Sequence, residues 1–215
     1  MKGLLLKDWY QVRTSMKAMC LTVAFVLVIW VFSTSNAYVF PVSYAAVFLG
    51  ILPINLLAYD HASGWTEYSF ALPLSKELQV AEKYLVGLLC TAVSAALNGI
   101  FCGILFWMGK PLPAMPIGLL LGAGAASILL INGIMLPLYY RFGAEKARML
   151  YMLMFAGMGA ALGGGAVMDE LQQNGTGSGP LPVPLWLAAV LLLAVLALYA
   201  VSWRVSVAWY GKYKK

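Results

Sequence analysis

Long uncharged stretches are the feature that most constrains the fold of this 215-residue chain. Asp, Glu, Lys and Arg are absent from five of them: residues 18–59, 84–109, 111–140, 149–168 and 171–203. A helix needs about 20 apolar residues to cross a hydrocarbon core of ~30 Å, and a charge at its centre costs about 2.5–3.5 kcal/mol. The stretches therefore predict membrane-spanning helices.

The composition agrees with lipid as the main solvent. Hydrophobic residues make up 62% of the chain and charged residues 10%, whereas an ordinary soluble domain has about 25% charged residues. So few charges cannot cover a surface that faces water, and so apolar a chain does not remain disordered. We expect an all-α membrane protein made of a single transmembrane domain, residues 1–215.

Polar and proline-rich segments divide the stretches into six spans. The polar run at 33–36 separates the first two spans, and the Gly- and Pro-rich segment 174–184 precedes the last one. The predicted spans share the absence of charged residues: 18–35, 38–58, 84–109, 112–140, 149–168 and 185–203. A loop at 59–83 joins the second span to the third, a loop with Arg141, Lys146 and Arg148 joins the fourth to the fifth, and an outer loop at 169–184 precedes the sixth.

The basic residues predict the orientation of these spans. Only Lys110 falls on the side that also carries Asp169 and Glu170. The other thirteen of the fourteen Lys and Arg residues fall on the opposite side: Lys2, Lys7, Arg13, Lys17, Lys76, Lys83, Arg141, Lys146, Arg148, Arg204, Lys212, Lys214 and Lys215. Because basic residues near span ends stay in the cytoplasm, both termini are predicted to be cytoplasmic. The net charge of +6 thus follows from topology and does not indicate nucleic-acid binding.

Residues 1–17 predict an amphipathic helix at the membrane surface. Leu5, Trp9, Val12 and Met16 recur at spacings of four, three and four, which places them on one helical stripe. Such a helix lies among the lipid headgroups and can act as an elbow before the first span. Two alternatives are a plain cytoplasmic extension and a cleaved signal flanked by Lys17, whose apolar core would be unusually long.

The loop at 59–83 contains a predicted short helix. Ser63 can cap its start, and Glu67 lies early in it. Pro73 ends it because the residue before a proline avoids helical geometry. Ser75 then predicts the cap of a further helix that carries the third span beyond the membrane.

Aromatic side chains mark one face of this short helix. Trp65, Tyr68 and Leu72 share that face at spacings of three and four, and Phe70 lies nearby. Such a face can dock into the groove of a partner protein, or it can rest on lipid headgroups. Both interpretations are compatible with the spacing.

The sequence has no recognisable catalytic or metal-binding pattern. His61 is the only histidine, and its spacing from Asp60 and Glu67 fits no zinc site. Gly109 and Lys110 are followed by Pro111, so they do not complete a phosphate-binding loop. We expect no catalytic residue, metal or cofactor in this chain.

Two glycine pairs have the four-residue spacing that permits close helix packing, Gly99 with Gly103 and Gly118 with Gly122. Packing within the chain is the first interpretation. A seam between two copies of the chain is the alternative.

Three stretches together resemble the ABC-2 class of ABC exporter permeases: MKGLLLKDWY at 1–10, DHASGWTEYSFALPLSKELQVAEKYL at 60–85 and PLYYRFGAEKARM at 137–149. The most specific parts are LPLSK with EKYL, and YYRFGAEKAR. The chain is similar in particular to small permeases of bacterial peptide exporters such as the phenol-soluble modulin exporter. The resemblance implies a permease subunit in the bacterial cell membrane, a second permease chain that forms a homodimer, and a separate ATPase subunit that binds ATP and Mg²⁺.

The resemblance also implies which residues contact the ATPase. The short helix at 65–72 would be the coupling helix, and residues 143–148 would form a second, smaller contact. The implied contact residues are Trp65, Glu67, Tyr68, Phe70, Leu72, Glu145, Lys146 and Arg148.

The expected function is ATP-driven export of a hydrophobic or amphipathic substrate. The resemblance implies that this substrate is a peptide. Ion-coupled carriers usually keep an ionisable residue near mid-membrane, and the predicted spans contain none. The alternative is a membrane scaffold or assembly protein without transport activity, or an intramembrane enzyme.

Overall fold

The charge-free stretches form helices in the structure, a computed structural model that describes residues 2–15, 17–32, 39–71, 75–110, 117–172 and 185–210. The elements in chain order are α1 Lys2–Ser15, α2 Lys17–Phe32, α3 Val39–Ala62, α4 Trp65–Ala71, α5 Lys76–Trp107, α6 Ile117–Gln172 and α7 Leu185–Tyr210. Every element in these ranges is an α-helix, in agreement with the predicted all-α class.

Within the described ranges, four helices are long and apolar enough to cross a membrane: Ser43–Ala62, Lys76–Trp107, Ile117–Gly143 and Val190–Tyr210. They correspond to the second, third, fourth and sixth predicted spans. The first predicted span lies largely in α2, which contributes the shorter apolar helix Cys20–Phe32. The fifth lies in the second part of α6. The six-span topology and the orientation of the termini stay predictions.

α5 begins well before the predicted third span. Ser75 is its N-cap, as expected, because the Ser75 side chain accepts a hydrogen bond from the backbone N–H of Leu78 at 3.4 Å. The 32 residues of α5 extend about 48 Å at ~1.5 Å per residue, which exceeds the ~30 Å hydrocarbon core. Its first turns therefore reach beyond the thickness of a bilayer, as does the end of α7, which continues to Tyr210.

The prediction of a loop between the fourth and fifth spans is wrong. Residues 117–172 form one helical run in which Gly143, with φ 81° and ψ 175°, is non-helical. That backbone conformation is open essentially to glycine alone, so one residue changes the direction of the chain where a loop was expected. Helix also continues through 169–172, part of the predicted outer loop, whose remaining residues lie outside the described ranges.

The apolar core is divided along the bundle. At the end that carries α4, called here the α4 end, a cluster from α3, α5, α6 and α7 is rich in tyrosine: Tyr84, Tyr139, Tyr140, Tyr199 and Tyr210. At the opposite end, Val23 and Leu27 of α2 pack with Phe101 and Leu105 of α5. Between them, α3 and α5 form a third cluster around Leu56 and Cys90.

The glycine pairs do not pack helices together within the described part of the chain. A Cβ atom built on Gly99, Gly103, Gly118 or Gly122 would meet no atom within 4 Å. Among the described residues these glycines have no close packing partner, so both interpretations, packing inside the chain and a seam between two copies, stay predictions.

Candidate functional site

The short helix expected in the 59–83 loop is present as α4. Gly64 separates it from α3 and adopts a φ of +72°, a conformation that favours glycine because it has no Cβ. The Gly64 carbonyl accepts the first hydrogen bond of α4, from the N–H of Tyr68 at 3.1 Å. Ser63 was expected to cap this helix, but its hydroxyl donates to the Asp60 carbonyl at 3.3 Å. Gly64, and not Ser63, therefore occupies the N-cap position of α4.

α4 has two different faces. The rings of Trp65 and Tyr68 lie 5.6 Å apart, so they share a face as expected. Glu67 and Tyr68 are exposed, Trp65 is half-buried and Ser69 is buried. The side chain of Phe70, and Leu72 as a whole, lie outside the described residues. The helix therefore presents Glu67 and Tyr68 outward while Ser69 faces the bundle.

Ser69 connects α4 to α5 and α7. The side-chain amide of Gln79 donates to the Ser69 carbonyl at 3.2 Å. The Ser69 hydroxyl donates to the Thr66 carbonyl of its own helix at 2.7 Å and also lies 3.3 Å from Gln79 Oε1. The Tyr210 hydroxyl donates to the same Gln79 Oε1. We call Ser69, Gln79 and Tyr210 the polar clamp. It joins α4, the first turn of α5 and the last turn of α7.

A buried ion cluster lies beside α4, where α1, α3 and α5 meet. Lys83 Nζ lies 2.8 Å from both carboxylate oxygens of Asp8 and 2.8 Å from Oδ2 of Asp60. Lys7 Nζ lies 2.7 Å from Oδ1 of Asp60 and 3.2 Å from Oδ1 of Asp8. Each carboxylate thus contacts both lysines. We call Lys7, Asp8, Asp60 and Lys83 the ion cluster.

The ion cluster is almost fully removed from solvent. The side chains of Lys83, Asp8 and Asp60 are 3–6% exposed, and that of Lys7 is 22% exposed. Charges at such burial are tolerated only when they are paired with good geometry, because desolvation of an unpaired ion costs several kcal/mol. The cluster therefore fixes α1 against α3 and α5.

Glu82 borders the ion cluster without being fully satisfied by it. It is a buried residue, 4% exposed. Its Oε1 lies 3.8 Å from Lys83 Nζ, too far for a hydrogen bond, and accepts none from the part of the chain that the structure describes. Glu82, Trp65, Ser69 and Gln79 help to line a cavity of about 60 Å³ beneath α4.

Lys7 also connects the ion cluster to α4. Its Nζ lies 4.6 Å from the ring centroid of Trp65, within the range of a cation–π contact. α4 is therefore attached to the bundle at two places. Trp65 contacts α1, and Ser69 contacts α5 and α7 through the polar clamp.

The four residues expected to form the elbow stripe are not equivalent in the structure. Leu5 and Val12 of α1 pack against the third apolar cluster, whereas Trp9 is 63% exposed. Met16 lies outside the described residues. Whether α1 rests on a membrane surface stays a prediction.

The second expected contact, at 143–148, begins at the backbone break of Gly143. Lys146 is exposed and Ala147 is buried, while the side chains of Glu145 and Arg148 lie outside the described residues. Arg141, which the sequence did not single out, places its guanidinium 4.8 Å from the ring centroid of Trp209 on α7. This surface is basic and lies at the α4 end.

The sequence did not reveal the ion cluster or the polar clamp. Both join residues that are 10 to 131 positions apart, such as Lys83 with Asp8 and Tyr210 with Gln79. One signal was available for Asp8, which lies four residues from both Leu4 and Val12 on the face that α1 buries. In the described ranges, no group of three or more His, Cys, Asp and Glu could hold a metal ion.

A chain whose described residues form only α-helices, four of them long and apolar enough to cross a membrane, is a multi-pass membrane protein. The family model described as an ABC-2 family transporter protein matches residues 3–211, and the chain belongs to this family. It is thus the membrane component of an ABC transporter, of a kind that generally works with a partner ATPase subunit and is not itself catalytic. No curated protein and no solved structure matches the chain.

Proposed function

We propose that this chain is the permease subunit of an ATP-driven exporter that moves a hydrophobic or amphipathic substrate, peptide by the resemblance stated above, out of the bacterial cytoplasm. Membership of the ABC-2 transporter family supports the transporter class. The observation that carries the proposal further is α4, whose outward face is free for a partner while its inward face is held by the polar clamp.

α4 is suited to be the coupling helix. Glu67 and Tyr68 are exposed side chains next to Ser69, which is 3% exposed and bonded to Gln79. A protein that binds Glu67 and Tyr68 would therefore act one residue away from the hydrogen bonds that attach α4 to the bundle. Resting on headgroups, the alternative use of an aromatic face, would not require this attachment.

The basic surface at the α4 end supports the second ATPase contact. Lys146 is exposed there, and Arg141 and Arg204 lie over the rings of Trp209 and Trp203. In the proposed topology this end and both termini are cytoplasmic, and ATP and Mg²⁺ are bound by the partner ATPase.

A homodimer completes the proposed exporter. Gly99, Gly103, Gly118 and Gly122 have open space around the position of a Cβ atom. Small residues at four-residue spacing allow two helix backbones to approach closely. We assign this face to the second permease chain.

The uncharged spans support an apolar or amphipathic substrate. No Asp, Glu, Lys or Arg occurs between residues 84 and 109 or between 111 and 140. A pathway between helices of this composition has no fixed charge to coordinate an inorganic ion or a highly charged solute.

Co-purification tests the proposal. Tagged chain is extracted from its native membrane in mild detergent, and the associated proteins are identified by mass spectrometry and assayed for ATP hydrolysis. We expect an ATPase with a phosphate-binding loop to be retained by the wild type and lost from Tyr68→Glu. Tyr68 is a better probe than Trp65, which also contacts Lys7.

Tyr10→Glu is the matched control, because Tyr10 is an equally exposed tyrosine on α1, at 56% against 57% for Tyr68. It should retain the ATPase. Retention of the ATPase by Tyr68→Glu would contradict the coupling-helix assignment. Absence of any ATPase from the wild-type preparation would contradict the exporter and favour a scaffold function.

A further inference from the structure

We propose that Gln79 is a positioning residue that carries a displacement of α4 to α7, a helix that buried hydrogen bonds hold to both α5 and α6. The inference rests on the proposed function, because it assumes that a bound ATPase displaces α4. It adds the route by which this displacement leaves α4.

The chain itself connects α4 to α3 and α5, but it does not connect α4 to α7. Gln79 and Tyr210 are 131 positions apart in sequence. A single side chain nevertheless reaches both helices. The Gln79 amide nitrogen donates to the Ser69 carbonyl of α4, and Gln79 Oε1 accepts from the Tyr210 hydroxyl of α7. A movement of Ser69 is therefore transmitted through Gln79 to the end of α7.

A second set of hydrogen bonds, further along the same pair of helices, holds α7 against α5. The hydroxyl of Tyr84 lies 2.7 Å from the hydroxyls of both Ser202 and Ser206. The Tyr199 hydroxyl donates to the Tyr84 carbonyl at 2.8 Å. All four residues are buried, and hydrogen bonds in such surroundings are strengthened by the low local dielectric.

The two helices also approach closely at this point. A Cβ atom built on Gly87 would lie 2.5 Å from the Tyr199 hydroxyl, so the position admits only glycine without a rearrangement. Gln79, Tyr84 and Gly87 follow one another along α5 while Tyr210, Ser206 and Tyr199 follow one another in the reverse direction along α7. Contacts at three successive levels resist sliding of α7 past α5, and the Ser202 hydroxyl, which donates to the Gly133 carbonyl, holds α7 to α6 as well.

The remaining attachment of α4 leads elsewhere. Trp65 contacts Lys7, which belongs to the ion cluster of α1, α3 and α5. Loss of Gln79 would leave this attachment and the exposed face of α4 in place. Binding of the ATPase and transmission to α7 can therefore be separated by substitution.

The experiment compares hydrogen–deuterium exchange in the purified permease–ATPase complex, without nucleotide and after trapping with ATP, Mg²⁺ and vanadate. The variants are Gln79→Ala, which removes every bond of the clamp that involves Gln79, and Tyr210→Phe, which removes the α7 hydroxyl of the clamp and leaves the bond from the Gln79 amide to the Ser69 carbonyl. Gln11→Ala is the matched control, a glutamine exchange on α1 outside the clamp.

Without nucleotide, Gln79→Ala should speed exchange of the α4 amides and of the last turns of α7 by at least about fivefold, since each net hydrogen bond lost contributes about that factor. On trapping, the wild type and Gln11→Ala should show altered exchange in α4 and α7. Gln79→Ala and Tyr210→Phe should retain the ATPase and the altered exchange in α4, with the change in α7 reduced to less than half.

The outcomes separate the two proposals. If no ATPase accompanies the wild type, the proposed function fails and the inference fails with it. If the ATPase is bound and active but α7 responds in both clamp variants as in the wild type, the inference alone is overturned. Loss of ATPase binding in Tyr210→Phe would also overturn it, since the clamp would then hold α4 in shape and not transmit its movement.

Discussion

Replacing Lys83 by methionine is the sharpest test of the ion cluster. Methionine has a similar length and no charge, so Lys83→Met removes the cation while roughly preserving volume. Lys83 Nζ contacts Asp8 and Asp60, each at 2.8 Å, and is itself buried. The substitution leaves two buried carboxylates that share only Lys7.

The magnitude follows from the geometry. Removal of one partner from a buried ion pair costs about 3–5 kcal/mol. The lower end of that range applies because Lys7 remains 2.7 Å from Asp60 and 3.2 Å from Asp8. A loss of about 3 kcal/mol in the free energy of unfolding corresponds to a fall of about 6–12 °C in the unfolding temperature for a chain of this size.

Thermal unfolding of the purified protein in detergent, followed by tryptophan fluorescence, measures this fall. Lys76→Met is the control, since Lys76 is an exposed residue in the first turn of the same helix, and its loss should change the free energy of unfolding by less than about 0.5 kcal/mol. Addition of Asp8→Asn to Lys83→Met should recover part of the lost free energy of unfolding, because it removes one of the two carboxylates that have lost Lys83 as a partner. Equal unfolding temperatures for Lys83→Met and Lys76→Met would refute the reasoning.

Two glycine substitutions give further predictions, both measured by the same thermal unfolding. Gly64→Ala should destabilise the protein by about 1 kcal/mol, because φ +72° is strained for any residue with a Cβ. Gly3 lies in α1 with open space around it, so Gly3→Ala should not destabilise the protein. Equal losses of stability in Gly64→Ala and Gly3→Ala would contradict this account. Gly87→Ala should displace the Tyr199 hydroxyl, 2.5 Å from the new Cβ, and cost about 1–3 kcal/mol. Tyr199→Phe should relieve part of that cost, and an additive double variant would show that the two positions do not interact.

Local signals in the sequence predicted α4 and the start of α5. Pro73 limits the predicted helix that contains Trp65, and α4 spans Trp65–Ala71 in the part of the chain that the structure describes. Ser75 precedes a helix and caps it as expected. Caps and proline act within one turn of the chain, so their effects can be derived without knowledge of the fold.

Local signals in the sequence were insufficient at residues 141–148, where both a loop and a broken helix were permitted. Residues 141–148 contain charged side chains and Gly143, which suggested a loop, but the chain needs only one residue in a conformation open to glycine. The choice between a loop and a broken helix depends on how the two parts of α6 meet the rest of the bundle. The four glycines at 99, 103, 118 and 122 show the same limit, because spacing does not say which partner faces them.

The sequence by itself determined the solvent of this protein, its helical class and the existence of a short helix between the second and third predicted spans. These follow from the number of charges and their positions along the chain. Only the tertiary structure decided that the two aspartates and two lysines of the ion cluster neutralise one another and that Gln79 joins α4 to α7. Such contacts depend on which faces of distant helices meet, and the hydrophobic pattern gives each helix a buried face without specifying the polar partner that this face will meet.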